Sequence, residues 1–201
     1  MLKDELIIRD ILEGAKRLFS HHGLKKTTME DIAEAAGKGK STLYYYFPGK
    51  NEIFEAVVDD EMKSHIQKVR KAINSATTAK EKLKAFLGTN LSSIIGYQNL
   101  SKIVKEEIFD GMKKLHELKQ RYDQTQVDMM KEIIIGGVQS GEFRELSPEM
   151  IEKCSFASIA AFRGLSLPLS VTLCDFKSEE YFDVLVDILV DGIGNRNGGS
   201  R

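Results

Sequence analysis

The chain has 201 residues, with 29 Lys+Arg against 30 Asp+Glu for a formal net charge of −1, 42% apolar residues, three Pro, two Cys and no Trp. A charged fraction of 29% beside that apolar content excludes wholesale disorder and collagen-like or low-complexity architecture, and it leaves enough apolar side chain for a sizeable interior. No run approaches the roughly 18 apolar residues of a membrane span, Asp4 and Glu5 stand where a leader would be basic, and Cys154 and Cys174 lie among apolar neighbours, so a reduced cytoplasmic protein with no membrane association is expected.

Pro occurs only at 48, 148 and 168, and the stretches between are rich in Leu, Ile, Ala, Glu, Lys and Met at helical spacing, without sustained alternation. The expected fold is all-α, with about nine helices. In the first segment Ile8, Ile11, Leu12, Ala15, Leu18 and Phe19 form an apolar stripe that stops at Gly23. Thr27 and Glu30 have the spacing of a capping box, and a short helix follows with Met29, Ile32, Ala33 and Ala36 on its core face, ending at Gly37. A second short helix opens near Gly39-Lys40 and runs to Phe47, where Pro48-Gly49 ends it. Two short helices joined by a tight glycine turn, behind a longer packing helix, describe a helix-turn-helix. Longer helices are predicted over 51–74, 78–97, 101–110, 113–140, 147–167 and 178–192. The domain division expected is a helix-turn-helix unit at 1–50, a helical bundle at 51–194 and a disordered tail at 195–201.

Residues 24–50 carry the candidate chemistry. A helix that enters the major groove needs donors on one face and apolar anchors on the other. Leu43, Tyr46 and Phe47 share the inward face, and Lys40, Ser41, Tyr44 and Tyr45 point largely outward. The alternative is that all three tyrosines are core, although a helix this short has little room for four consecutive aromatics. Between Ala35 and Asn51 there are three lysines, Lys38, Lys40 and Lys50, and no acid. Over residues 1–50 nine basic residues face seven acidic ones, net +2, which leaves −3 for the remainder. The basic excess is therefore local to the turn and the second short helix, which suits phosphate contacts there.

Gly23, Thr28, Ile32-Ala33, Ala36-Gly37, Thr42-Leu43-Tyr44-Tyr45-Tyr46-Phe47, Lys50 and Glu52 together resemble the DNA-binding signature of the tetracycline-repressor (TetR/AcrR) family of bacterial regulators. The stretch from Gly136 to Phe143 is similar to the end of that family's long regulatory helix, more weakly. The resemblance implies an all-helical homodimer whose N-terminal helices bind a double-stranded, palindromic DNA operator and whose remaining helices bind a small-molecule effector and dimerise. It implies phosphate contacts from Thr27 or Thr28, Tyr45, Tyr46 and Lys50, and base or backbone contacts from Lys40, Ser41, Thr42 and Tyr44. The chain departs from the pattern at Lys38, where a small apolar residue is usual, and at Gly39, where a capping Ser is common; Lys38 is read as a further phosphate contact. Repression relieved by the effector is the behaviour the family implies.

In the C-terminal part the segment 178–192 has an apolar arc wider than one core face requires, broken by an acidic stripe at Asp183, Asp187 and Asp191. The preceding helix offers Ala157, Ala160, Ala161 and Gly164 for close approach. Both suit a dimer interface built from the last two helices; the competing reading is that these helices are central in a monomer. An apolar ligand pocket among the middle helices would draw on Phe86, Tyr97, Phe109, Met112, Met129, Met130, Phe156 and Phe162, each equally suited to plain core, and would favour a hydrophobic effector. Gly136-Gly137 reads either as a kink or as a close-packing site.

Two other classes compete. An enzyme is disfavoured, because His116-Glu117 lacks the second His four residues on and no nucleotide-binding glycine loop is present; no cofactor or metal is expected. A helical ligand-binding or protein-interaction module with no DNA role would leave Lys40 and Tyr44 unexplained.

Overall fold

The computed structural model describes residues 2–96, 113–169 and 178–194, and among these the chain forms eight α-helices. They are α1 (Leu2–Lys26), α2 (Met29–Ala35), α3 (Lys40–Tyr46), α4 (Lys50–Asn74), α5 (Ala79–Gly96), α6 (Lys113–Gln139), α7 (Pro148–Leu169) and α8 (Ser178–Ile193). The helix predicted at 101–110, the tail at 195–201, and Cys174 lie outside the described residues. Two compact units divide the chain: residues 1–64 with 97–119, and residues 65–96 with 120–201.

The first unit is organised by the predicted stripe of α1. Ile11, Ala15 and Phe19 are buried, with Ile8, Leu12 and Leu18 half-buried. All but Ile8, whose place is taken by Ile7, meet Met29, Ile32 and Ala33 of α2, Leu43 of α3 and Ile53, Phe54, Val57 and Val58 of α4 in one apolar cluster, with Leu115 and Leu118 of α6 joining it. Phe19 and Phe54 pack edge to face, their centroids 5.2 Å apart. The regular path of α1 breaks at Gly23 (φ +78°, ψ 167°), where the stripe was predicted to stop, and resumes for three residues.

The cap of α2 falls one residue later than the predicted Thr27–Glu30 pair. Thr28 is the N-cap: its hydroxyl accepts from the Asp31 amide at 3.2 Å while the Asp31 carboxylate accepts from the Thr28 amide at 2.9 Å. Thr27 turns inward instead, buried, donating its hydroxyl to the Gly23 carbonyl at 2.8 Å. Between α2 and α3 the chain reverses at Gly37 with φ +63°, a left-handed conformation that L side chains adopt only with strain. α3 has no side-chain cap at Gly39, and it ends where Phe47 turns extended ahead of Pro48.

The second unit is held by a cluster that includes Val69, Leu83, Phe86, Leu87, Met129, Met130, Ile133, Ile134, Phe143, Ile159, Phe162 and Val186. α8 packs on α5 and α7. Along the α5–α8 contact the acidic stripe is answered by a matching basic one: Lys80 pairs with Asp187 and Lys84 with Asp183, each at 2.8 Å. The N-terminus of α5 is satisfied twice over. Glu81 accepts from the Thr77 and Thr78 amides at 3.0 and 2.9 Å, and Glu142, from the loop after α6, accepts from the Ala79 amide. That loop also brings Phe143 back onto α6, where its amide donates to the Gly137 carbonyl at 2.9 Å. α6 runs on through Gly136-Gly137 to Gln139 without a kink, and of the two only Gly137 serves close packing.

Candidate nucleic-acid interface

α3 is two turns long and anchored by one fully buried side chain, Leu43. Burying Leu43 fixes the rotation of the helix, and with a period of 3.6 residues that turns Lys40, Ser41, Tyr44 and Tyr45 outward. Tyr44 is 52% exposed and Tyr45 81% exposed, which removes the reading in which all three tyrosines are core. Tyr46 is half-buried and meets Tyr45 edge to face at 5.0 Å. Its phenol donates to the Asp4 carboxylate, and that bond, reinforced by desolvation and the Asp4 charge, pushes the Tyr46 pKa up to about 12. Thr42 is half-buried on the flank of the helix.

The cations of this surface all have intrachain partners. Lys38 pairs with Asp10 of α1 at 2.9 Å, and Lys40 pairs with Glu30 of α2. The hydrogen bond from Lys38 holds the Asp10 carboxyl below its ordinary range, and Lys40 does the same for Glu30. Lys50, expected on a phosphate, instead directs its ammonium to the carbonyls of Leu24, Lys25 and Thr27 at 3.0, 3.2 and 3.1 Å. Those carbonyls follow the break in α1, so Lys50 ties the start of α4 to the chain that leads into α2 and sets the position of the helix-turn-helix. Sequence reasoning missed these roles because the partners lie elsewhere in the chain, ten to forty-two residues away, and no local spacing marks them.

Of the predicted ligand-contacting residues, Phe86, Met129, Met130 and Phe162 converge in the core of the second unit. Phe156 does not join them: it is 66% exposed on the outer face of α7, because the buried stripe of that helix runs through Ser155, Ser158, Ile159 and Phe162. Tyr97, Phe109 and Met112 lie outside the described residues. A group that periodicity did not single out is polar. His65 Nε2 lies 2.9 Å from Asn90 Oδ1, the Asn90 amide donates to the Phe86 carbonyl, and the His65 ring faces Tyr122 at 6.0 Å. Burial, and then the Asp123 charge, raise the Tyr122 phenol well above its usual range. One helical turn on, Gln126 is only 4% exposed, and its amide nitrogen has no hydrogen-bond partner among the described residues. Four polar side chains thus gather in the second unit, whose buried polar residues also include Ser155 and Ser158, and there they could orient a ligand with hydrogen-bonding groups on an apolar body. Among the described residues no cluster of His, Cys, Asp and Glu could hold a metal ion, and no helix is long and apolar enough to cross a membrane.

Comparison with known proteins matches both parts of the chain. A family model described as bacterial regulatory proteins, tetR family, matches residues 11–57, and one described as the C-terminal region of YsiA-like proteins matches residues 58–161. The fatty acid metabolism regulator protein of Bacillus subtilis (strain 168) is 25% identical over 196 residues, covering 92% of this chain and 95% of that protein. The crystal structure of a transcriptional regulator from Cytophaga hutchinsonii superposes with a TM-score of 0.76 at 26% identity, covering 92% of this chain and 97% of that one. The transcriptional regulator FadR from Bacillus subtilis, solved in complex with stearoyl-CoA, has a TM-score of 0.62 at 22% identity, covering 92% and 98%.

Proposed function

This chain belongs to the tetR family of bacterial regulatory proteins, and from that premise we propose that it is a homodimeric, ligand-responsive repressor that binds a palindromic operator and is released by a small, largely hydrophobic effector. The observation that carries the DNA-binding part is the α3 surface: a helix held by Leu43 that presents Tyr44 and Tyr45 beside Lys40, Ser41 and Thr42. Exposed tyrosine rings lie well against sugar edges and thymine methyls, and their hydroxyls donate to phosphate. Thr28, at the N-terminus of α2, and Tyr46 flank this face, and Lys38 and Lys50 bound it. The working division is a DNA reader at 1–50 and a sensor and dimerisation part at 51–194.

Support for the dimer comes from the second unit, where Phe156, Ala157, Ala160, Ala161 and Gly164 of α7 and Val184 and Ile188 of α8 are all exposed. A row of small residues beside large apolar ones suits a two-fold helix-on-helix contact that would cover them. Such a dimer would set two recognition helices roughly 34–36 Å apart on one DNA face. Support for a hydrophobic effector comes from Phe86, Met129, Met130 and Phe162 in the core of the same unit as the buried His65, Asn90 and Gln126 and the half-buried Tyr122. The solved neighbour that holds stearoyl-CoA has an occupant of this chemistry. The regulator would act in the cytoplasm, where its operator is, and its role would be regulatory rather than catalytic.

The deciding experiment selects bound sequences from a random duplex pool with the purified full chain. Recovery of an inverted repeat with half-sites about one helical turn apart supports both operator binding and two-fold symmetry. Recovery of no enriched sequence, with no salt-dependent retention of the pool, would overturn the reading.

A further inference from the structure

Three side chains of the expected DNA surface end on carboxylates of the same chain: Lys38 on Asp10, Lys40 on Glu30 and Tyr46 on Asp4. None of these acids belongs to α3, and they arrive from α1 and α2. A carboxylate within ion-pair distance of an ammonium offers it what a DNA phosphate would, and being tethered it competes at a high effective concentration. It also repels a phosphate that approaches the same ammonium.

We infer that Asp10 and Glu30 are specificity-determining residues, which occupy the ammonium groups of Lys38 and Lys40 so that a non-operator duplex gains little from either lysine. The inference rests on the DNA-binding reading above. Non-specific binding is almost entirely phosphate neutralisation with counterion release, so each lysine withheld from phosphate weakens it directly. On an operator, base contacts from Tyr44 and its neighbours set the seat and leave Lys38 and Lys40 on their carboxylates, so that complex neither breaks the pairs nor depends on the two lysines for phosphate. Glu30 also holds Lys40 at the start of α3, ahead of the residues that face the bases. The two acids thereby lower affinity for random DNA more than for the operator, which widens the gap between them.

The test uses the full chain with Asp10→Asn and Glu30→Gln, singly and together, and Glu34→Gln as a control that removes one charge from an exposed position of the same α2. Each is titrated into a fluorescent random-sequence duplex and into the selected operator across a salt series, with thermal unfolding followed in parallel. Asp10→Asn and Glu30→Gln are expected to bind random duplex roughly three- to tenfold tighter near 0.1 M salt, with a steeper salt dependence. The operator should gain less, so the ratio between the two falls, and Glu34→Gln should leave that ratio unchanged. Equal effects from Glu34→Gln would reduce the acids to general repulsion and overturn the inference. So would a shift in melting temperature without any change on random duplex, which marks a purely structural pair. If the wild-type chain shows no salt-dependent DNA binding, the DNA reading fails and the inference with it; if wild type binds and the variants match it, only the inference fails.

Discussion

A Cβ on Gly137 would lie 2.3 Å from the ring of Phe143, and 2.9 Å from the Cβ of Ala79. The loop after α6 returns through this notch, and Phe143 is buried only because residue 137 has no side chain. Gly137→Ala is therefore expected to destabilise the chain by about 1–3 kcal/mol through overpacking. Gly136 has nothing within 4 Å of its would-be Cβ, so Gly136→Ala should stabilise by up to about 1 kcal/mol through helix propensity. Thermal or urea unfolding of the two variants reads the opposite signs directly.

Tyr44→Ala is expected to weaken operator binding by about 1–3 kcal/mol while leaving helical circular dichroism and melting temperature unchanged, since the ring is half out of the protein. Leu43→Ala, one residue away and fully buried, should behave oppositely, with a loss of about 2–5 kcal/mol in stability. Wild-type affinity in Tyr44→Ala would place the DNA face elsewhere.

Ile188, 65% exposed on α8, is expected to lie in the dimer contact, and Ile188→Glu should yield monomers by sedimentation at micromolar concentration. The variant should also lose tight operator binding while retaining weak random-duplex binding. A wild-type chain that sediments as a monomer would remove the dimer.

Stability should fall in mild acid for a nameable reason. The carboxyl of Asp31 is held below its ordinary range by hydrogen bonds from Thr28, and that of Glu81 by the amides of Thr78 and Thr77 and the Thr78 hydroxyl. Carboxyls depressed in the folded chain contribute stability that is complete above their unfolded pKa and is lost as pH falls through the folded one. Melting temperature should thus hold down to about pH 5 and decline below about pH 4, and Asp31→Asn should flatten part of that decline. An equal decline in Asp31→Asn and wild type would assign the acid sensitivity elsewhere.

Local chemistry was legible in the amino-acid sequence wherever cause and effect lie within a turn or two. Apolar spacing named the buried face of α1 and α2, Gly37 and Pro48 bounded the turn and the end of α3, and the placing of Leu43 implied the outward placing of Tyr44 and Tyr45. Long-range partners were not legible. The capping box moved from Thr27 to Thr28 because Thr27 is drawn inward to the Gly23 carbonyl, a competition that propensity does not encode. Phe156 faces out because α7 presents a neighbouring stripe to the core, and an apolar list cannot say which stripe wins. An acidic stripe on α8 was visible, but not that Lys80 and Lys84 would meet it.

The sequence by itself determined the all-helical class, the helix-turn-helix and the concentration of positive charge over it, since each follows from short-range periodicity, capping and composition. Only the tertiary structure decided what that charge does in the free chain. Lys38 and Lys40 were read as open to phosphate, yet packing of α1 and α2 around α3 brings Asp10 and Glu30 to them, and Lys50 is turned to backbone carbonyls. An ion pair depends on distance in space, and that distance is set by how helices pack rather than by the order of residues along the chain.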